Sequence, residues 1–140
     1  MSPEQKKLVQ QTWHQVAPAS EIVSALFYDR LFDLDPEFRA LFRNVDMERQ
    51  REKLILALSS VILHLDDIEA YLPEIEALGR RHASYGVSEA HYESVGRALL
   101  STLKSGLGEA WTEDVRAAWT AAYAAIAGVM RRGAAGSAAA

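Results

Sequence analysis

Ile75-Glu76-Ala77-Leu78-Gly79-Arg80-Arg81-His82-Ala83-Ser84-Tyr85-Gly86 is the stretch on which the reading of this 140-residue chain turns. Positions 75, 78, 82 and 85 recur at helical spacing, so a single face presents Ile, Leu, His and Tyr. Pro73 suits the first turn of such a helix and Gly86 suits its end. A histidine on an apolar stripe has two readings. Alone, it is more often a core residue satisfied by a backbone carbonyl than a metal ligand. The rest of the chain decides between them.

Working outward, Tyr28, Leu31 and Phe32 share one face of an upstream helix, which sets a phenol among core residues. Phe42 follows in a short segment. Gln50 then opens a further amphipathic helix whose inward stripe continues through Leu54, Leu58, Val61 and Leu65. An imidazole facing a lone amide and a phenol across apolar walls suggests a pocket for a flat, apolar, metal-centred group, and haem is the expected one. Neutral imidazole binds iron well, and its second nitrogen needs an acceptor that fixes the ring. The carbonyl of Leu78, one turn back, is the natural one.

The pattern is helical from end to end, with no alternating β-branched run bounded by turns. Caps and prolines predict helices at 3–17, 21–34, 36–42, 47–65, 72–84, 89–106 and 113–132. Ser2, Pro3 and Gln5 form a capping box at the start, too polar for a signal peptide. Ser20, Asp35, Asp46, Ser88 and Thr112 mark later starts. The tail GAAGSAAA (133–140) is expected to be unstructured. A single domain over 1–132 can bury roughly two-thirds of its unfolded surface.

Composition narrows function. The chain is 49% hydrophobic and 24% charged with a net charge of -4, and its basic residues are scattered. Phosphate binding needs a concentrated basic face, so nucleic acid is not the expected partner. No apolar run reaches membrane-spanning length, and the cytoplasm is the default location. The absence of cysteine excludes disulfides, thiolate metal sites and a Cys nucleophile. Gly106-x-Gly108 stands outside any βαβ pattern, so no nicotinamide or flavin domain is expected. His14, His64 and His91 fall at surface or helix-end positions. Trp13, Trp119 and Tyr123 read as core aromatics, and Trp111 as a staple ahead of the last helix.

Taken together, Tyr28-Asp29-Arg30-Leu31-Phe32, Pro36, Phe42, Gln50-x-x-x-Leu54 and His82-x-x-Tyr85-Gly86-Val87 resemble the globin family. The resemblance is to single-domain bacterial globins and the haem domain of flavohaemoglobins, and it covers about residues 5–132. It implies an all-α, three-over-three helical sandwich around one haem b. His82 would be the proximal iron ligand through Nε2. Phe42 would stack on the porphyrin, Tyr28 and Gln50 would line the distal side, and Leu54 would shape the ligand cavity. Val87 and Val95 would be haem-contacting walls, and Lys53 would reach a propionate. Tyr92 matches a tyrosine that supports the proximal histidine in flavohaemoglobins, and Asp114 is taken as its acidic partner.

Two functional classes follow from that resemblance. The first is reversible binding of dioxygen, nitric oxide or carbon monoxide, to store, deliver or scavenge gas. The second is nitric oxide dioxygenation to nitrate, with Tyr28 and Gln50 as catalytic groups and a separate reductase as electron source. A gas sensor and a haem-free interaction module rank behind these.

Overall fold

The structure, a computed structural model, describes residues 1–139, with side chains through 135. Seven α-helices follow in order: α1 (Pro3–Val16), α2 (Ser20–Leu34), α3 (Phe38–Leu41), α4 (Met47–Leu63), α5 (Ile68–Ser84), α6 (Glu89–Leu107) and α7 (Glu113–Ala139). Short 3-10 turns at Ala17–Ala19, Leu65–Asp67 and Gly108–Ala110 connect them. Among the described residues there is no strand. The helices form the expected two layers of three, α1, α4 and α5 against α2, α6 and α7.

Several starts follow from local chemistry. Gln5 N–H donates to Ser2 Oγ and Ser2 N–H to Gln5 Oε1, both at 3.1 Å, which completes the capping box on α1. Asp46 accepts from the N–H groups of Glu48 and Arg49 at the head of α4. Thr112 Oγ1 accepts from Val115 at the head of α7. Ser20 differs: it is already helical, and the capping position falls to Ala19 without a side-chain bond.

The larger differences lie in α5 and α7. α5 begins at Ile68 rather than 72, so Pro73 sits inside the helix. The 3-10 turn at Leu65–Asp67 feeds directly into it and supplies the extra turn. α7 continues past 132 to Ala139, so residues 133–139 are helical rather than unstructured. Alanine is the best helix former, and Gly133 is buried against α5, which a frayed tail would not be. The end of the expected tail, Ala140, lies outside the described residues.

Two apolar clusters hold the layers. The main one joins α1, α2, α6 and α7 through Val9, Trp13, Phe27, Leu31, Leu103 and Trp119. Each such side chain, fully buried, contributes about 1.5–3 kcal/mol. Polar atoms inside it are paired: Trp119 Nε1 donates to Thr12 Oγ1 at 2.8 Å, and Trp13 Nε1 donates to Ser59 Oγ at 3.3 Å, tying α1 to α7 and α4. The second cluster, Val61, Ile75, Tyr92, Ala127 and Met130, lies beneath α5.

α5 ends just beyond His82 in a motif that needs glycine. Val87 N–H donates to His82 O and Gly86 N–H to Ala83 O, both at 3.1 Å, while Gly86 takes φ +94°. Any Cβ there is strained, and it would also stand 3.2 Å from Leu41. We expect Gly86→Ala to cost about 1–2 kcal/mol and lower Tm by roughly 3–8 °C in thermal unfolding. An unchanged Tm would show that the turn after α5 does not depend on this conformation.

Candidate functional site

α4 and α5 leave the Leu65–Asp67 turn on opposite sides of a gap. A cavity of about 230 Å³ separates them, lined by Ala57 and Val61 from α4 and by Tyr71, Ile75 and Leu78 from α5. His64 and Tyr71 stack in parallel, ring centres 4.1 Å apart, at the closed end. Both His82 and Gln50 lie further from that turn, on α5 and α4 respectively.

His82 is half-buried, and its Nδ1 lies 2.8 Å from Leu78 O. The carbonyl can only accept, so Nδ1 carries the proton and Nε2 keeps a free lone pair. Burial lowers the imidazole pKa from its usual value, against the raising effect of the Leu78 bond; Arg81 adds to the lowering. The ring is therefore held neutral and oriented, the state that coordinates a metal.

Across the gap, Gln50 Nε2 donates to Tyr28 Oη at 3.1 Å. Tyr28 is 5% exposed and belongs to an aromatic wall. Phe27 meets it edge-on at 5.0 Å and Phe42 at 5.5 Å, and Phe32 and Phe38 extend the wall through Phe42. Burial raises the Tyr28 pKa; the Gln50 bond and the Arg51 charge oppose that. The phenol is thus a neutral donor. Since its oxygen accepts from Gln50, its own proton is left for another acceptor.

The remaining expected residues divide. Leu54 and Val95 are half-buried against the main core, and Val87 is half-buried against the cluster under α5. Lys53 is exposed on α4, one turn from Gln50. Tyr92 is buried in the second cluster with its hydroxyl unpartnered, while its carbonyl accepts from Tyr123 Oη at 2.6 Å. Asp114 does not join it. It is exposed in the first turn of α7, whereas Arg131 of the same helix covers the Tyr92 ring at 4.8 Å. The seventeen helical steps from one to the other span about 25 Å. The chain thus sets a cation, paired with Glu89 at 3.1 Å, beside Tyr92 instead of the expected acid. Sequence reading missed Arg131 and Arg51; helical phase on α7, counted from Tyr123, is the signal that would have found the first.

These groups fit a haem. Among the described residues no three His, Asp or Glu side chains converge as a metal site, so a metal at His82 needs its other donors from a ligand. Leu41, Phe42, Leu54, Leu58, Leu78 and Val87 are apolar yet only half-buried, a surface that a flat apolar group would cover. Tyr92 Oη beneath α5 is a buried donor with capacity to spare.

Known proteins are similar to this chain. The chain is 35% identical to a flavohemoprotein of Bordetella parapertussis over 132 residues, 93% of this chain and 33% of that protein. It is 33% identical to one from Halalkalibacterium halodurans over 92% of this chain. It therefore spans about a third of the length of the flavohemoproteins it matches. A neuroglobin of Tetraodon nigroviridis is 28% identical over 95% of this chain and 92% of its own. The crystal structure of a hexacoordinated heme protein from an anhydrobiotic tardigrade, at pH 4, superposes with a TM-score of 0.86 at 18% identity, covering 96% of this chain and 95% of that one. The fold and the facing pair of helices thus agree with the match of the Globin family model to residues 25–130, and the chain belongs to the globin family.

Proposed function

We propose that this chain holds one haem b between α4 and α5 and reversibly binds dioxygen, nitric oxide and carbon monoxide there. The observation that carries the reading is the Gln50–Tyr28 hydrogen bond, which leaves the Tyr28 proton free in an apolar setting. His82 is the protein ligand through Nε2, oriented by Leu78 O. Phe42 would stack on the macrocycle, Leu54 would shape the ligand cavity, Val87 and Val95 would be walls of the pocket, and Lys53 would reach a propionate. Bound haem supplies the iron at which a diatomic ligand takes up negative charge.

Tyr28 donates to that charge, and Gln50 holds the phenol in place while doing so. A hydrogen bond to a charged acceptor contributes about 1.5–3 kcal/mol, roughly 10- to 150-fold in affinity. The same free proton favours a second reading, nitric oxide dioxygenation. There nitric oxide, dioxygen and one electron give nitrate, and Tyr28 and Gln50 are the catalytic groups that orient the reactants. The electron comes from a separate reductase, and the cytoplasm is the compartment of this reading.

Replacing Tyr28 by Phe removes the donor and keeps the ring. We expect dioxygen release, followed by stopped flow, to accelerate roughly 10-fold or more. An unchanged rate removes Tyr28 from the ligand's surroundings. Because burial raises the Tyr28 pKa above its usual value, the phenol keeps its proton through neutral and mildly alkaline pH. The release rate of the parent protein should accordingly stay flat from about pH 6 to pH 9. A rate that climbs across this range would mean the donor is being lost.

Nitric oxide consumption under air, with NADH and a generic flavin reductase supplied, separates the two readings. Many turnovers per haem, falling sharply in Tyr28→Phe, identify a dioxygenase. A single stoichiometric burst despite rapid reduction identifies a ligand carrier. Failure to take up haem at all overturns both.

A further inference from the structure

α5, the helix that carries His82, meets α7 through two glycines, one on each helix. A Cβ placed on Gly79 of α5 would stand 2.6 Å from Met130 Cα and closer still to the Met130 carbonyl oxygen. A Cβ placed on Gly133 of α7 would stand 2.8 Å from Glu76 Cα, and again closer to that residue's carbonyl oxygen. Glu76 and Gly79 are one turn apart on α5, as are Met130 and Gly133 on α7. Each helix therefore offers a glycine to the backbone of the other, and the contact closes on itself. The facing atoms are backbone, so they yield only by moving a whole helix.

Gly79 directly follows Leu78, whose carbonyl receives the His82 Nδ1 proton at 2.8 Å. A single peptide thus touches α7 on one side and holds the imidazole on the other. We propose that Gly79 and Gly133 are positioning residues that set how far His82 stands into the gap between α4 and α5. The α7 backbone acts on the imidazole through the Leu78–Gly79 peptide. The proposal rests on the haem reading above, with His82 as the iron ligand. It also assigns a role to the part of α7 beyond residue 132, which brings Gly133 to α5.

Adding a methyl group at either glycine must part the helices by about 1 Å or more before ordinary contact is restored. α5 then moves away from α7 and toward α4, carrying the Leu78 carbonyl and His82 with it. Gly128 provides an internal control on the same helix, because a Cβ there meets nothing closer than the Arg132 guanidinium at 3.9 Å.

The test compares Gly79→Ala, Gly133→Ala and Gly128→Ala in the full, haem-loaded chain. Resonance Raman of the ferrous, ligand-free protein reads the iron–histidine stretch, and transfer of haem to an apomyoglobin acceptor reads retention. We expect a shifted or split stretching band and several-fold faster haem loss in Gly79→Ala and Gly133→Ala, and parent behaviour in Gly128→Ala. Faster loss with an unmoved band is general destabilisation and overturns the positioning role, as does parent behaviour in Gly133→Ala. Where Gly79→Ala does not fold, Gly133→Ala decides alone. A parent chain that takes up no haem refutes the haem reading instead. Amide exchange over residues 68–84 of the apoprotein then decides the glycine contact: faster exchange in Gly133→Ala upholds it and unchanged exchange overturns it.

Discussion

The helix that carries His82 is held from one side. α5 makes its extensive contact with α7 and only a slender one with α4. Everything about the site follows from that asymmetry. If α5 packed equally on α4, Leu54, Leu58 and Leu78 would bury one another and His82 would be a core histidine bonded to Leu78 O and nothing more. With α7 holding the far side, the near side stays open, and half-buried apolar residues line it. Leaving that surface wet costs about 25 cal/mol per Å², so any flat apolar group that covers it stabilises the folded chain as it binds.

The two sides of the gap solve different problems. On the Tyr28 side, four phenylalanine rings form the wall around a phenol whose oxygen accepts from Gln50, so the hydroxyl is desolvated yet fixed in place with its proton free. On the His82 side the acceptor is a backbone carbonyl one turn away, fixed by the helix itself. A side-chain acceptor would bring rotamer freedom; a carbonyl brings none. The Val87 bond to the His82 carbonyl pins the same residue from its other end. The imidazole is therefore set by backbone geometry, and backbone geometry is in turn set by what α5 rests on.

Much of this was legible in the residues. Capping chemistry at Ser2, Asp46 and Thr112 marked helix starts because side-chain oxygens must satisfy N–H groups that no helix can. The His82 stripe and the Gln50 stripe showed in their 3.6-residue period. Three features escaped for physical reasons. Pro73 reads as a first-turn residue, yet the Leu65–Asp67 turn feeds α5 several residues earlier. GAAGSAAA has the composition of a loose tail, and only the surface of α5 reveals what Gly133 rests on. The resemblance to flavohaemoglobins pairs Asp114 with Tyr92, while the partner of a helical residue is set by rise and phase. At 1.5 Å per residue, the near end of α7 never reaches what its far end covers.

The replacement of an acid by Arg131 changes what Tyr92 can do. A carboxylate beside a buried phenol accepts its proton and passes negative charge toward whatever the phenol supports. Arg131 cannot accept; it lies over the ring, where the aromatic face attracts it, and is paired outward with Glu89. Burial raises the Tyr92 pKa and outweighs the lowering by Arg131, so the hydroxyl remains neutral and its proton remains to be donated. Tyr28 and Tyr92 are thus both phenols held neutral by desolvation, the first bonded to Gln50 and the second unpartnered in the cluster beneath α5. Neither phenol takes up a proton at neutral pH; each has one to give. A carboxylate at that place would draw on the Tyr92 proton, whereas Arg131 leaves it with the phenol.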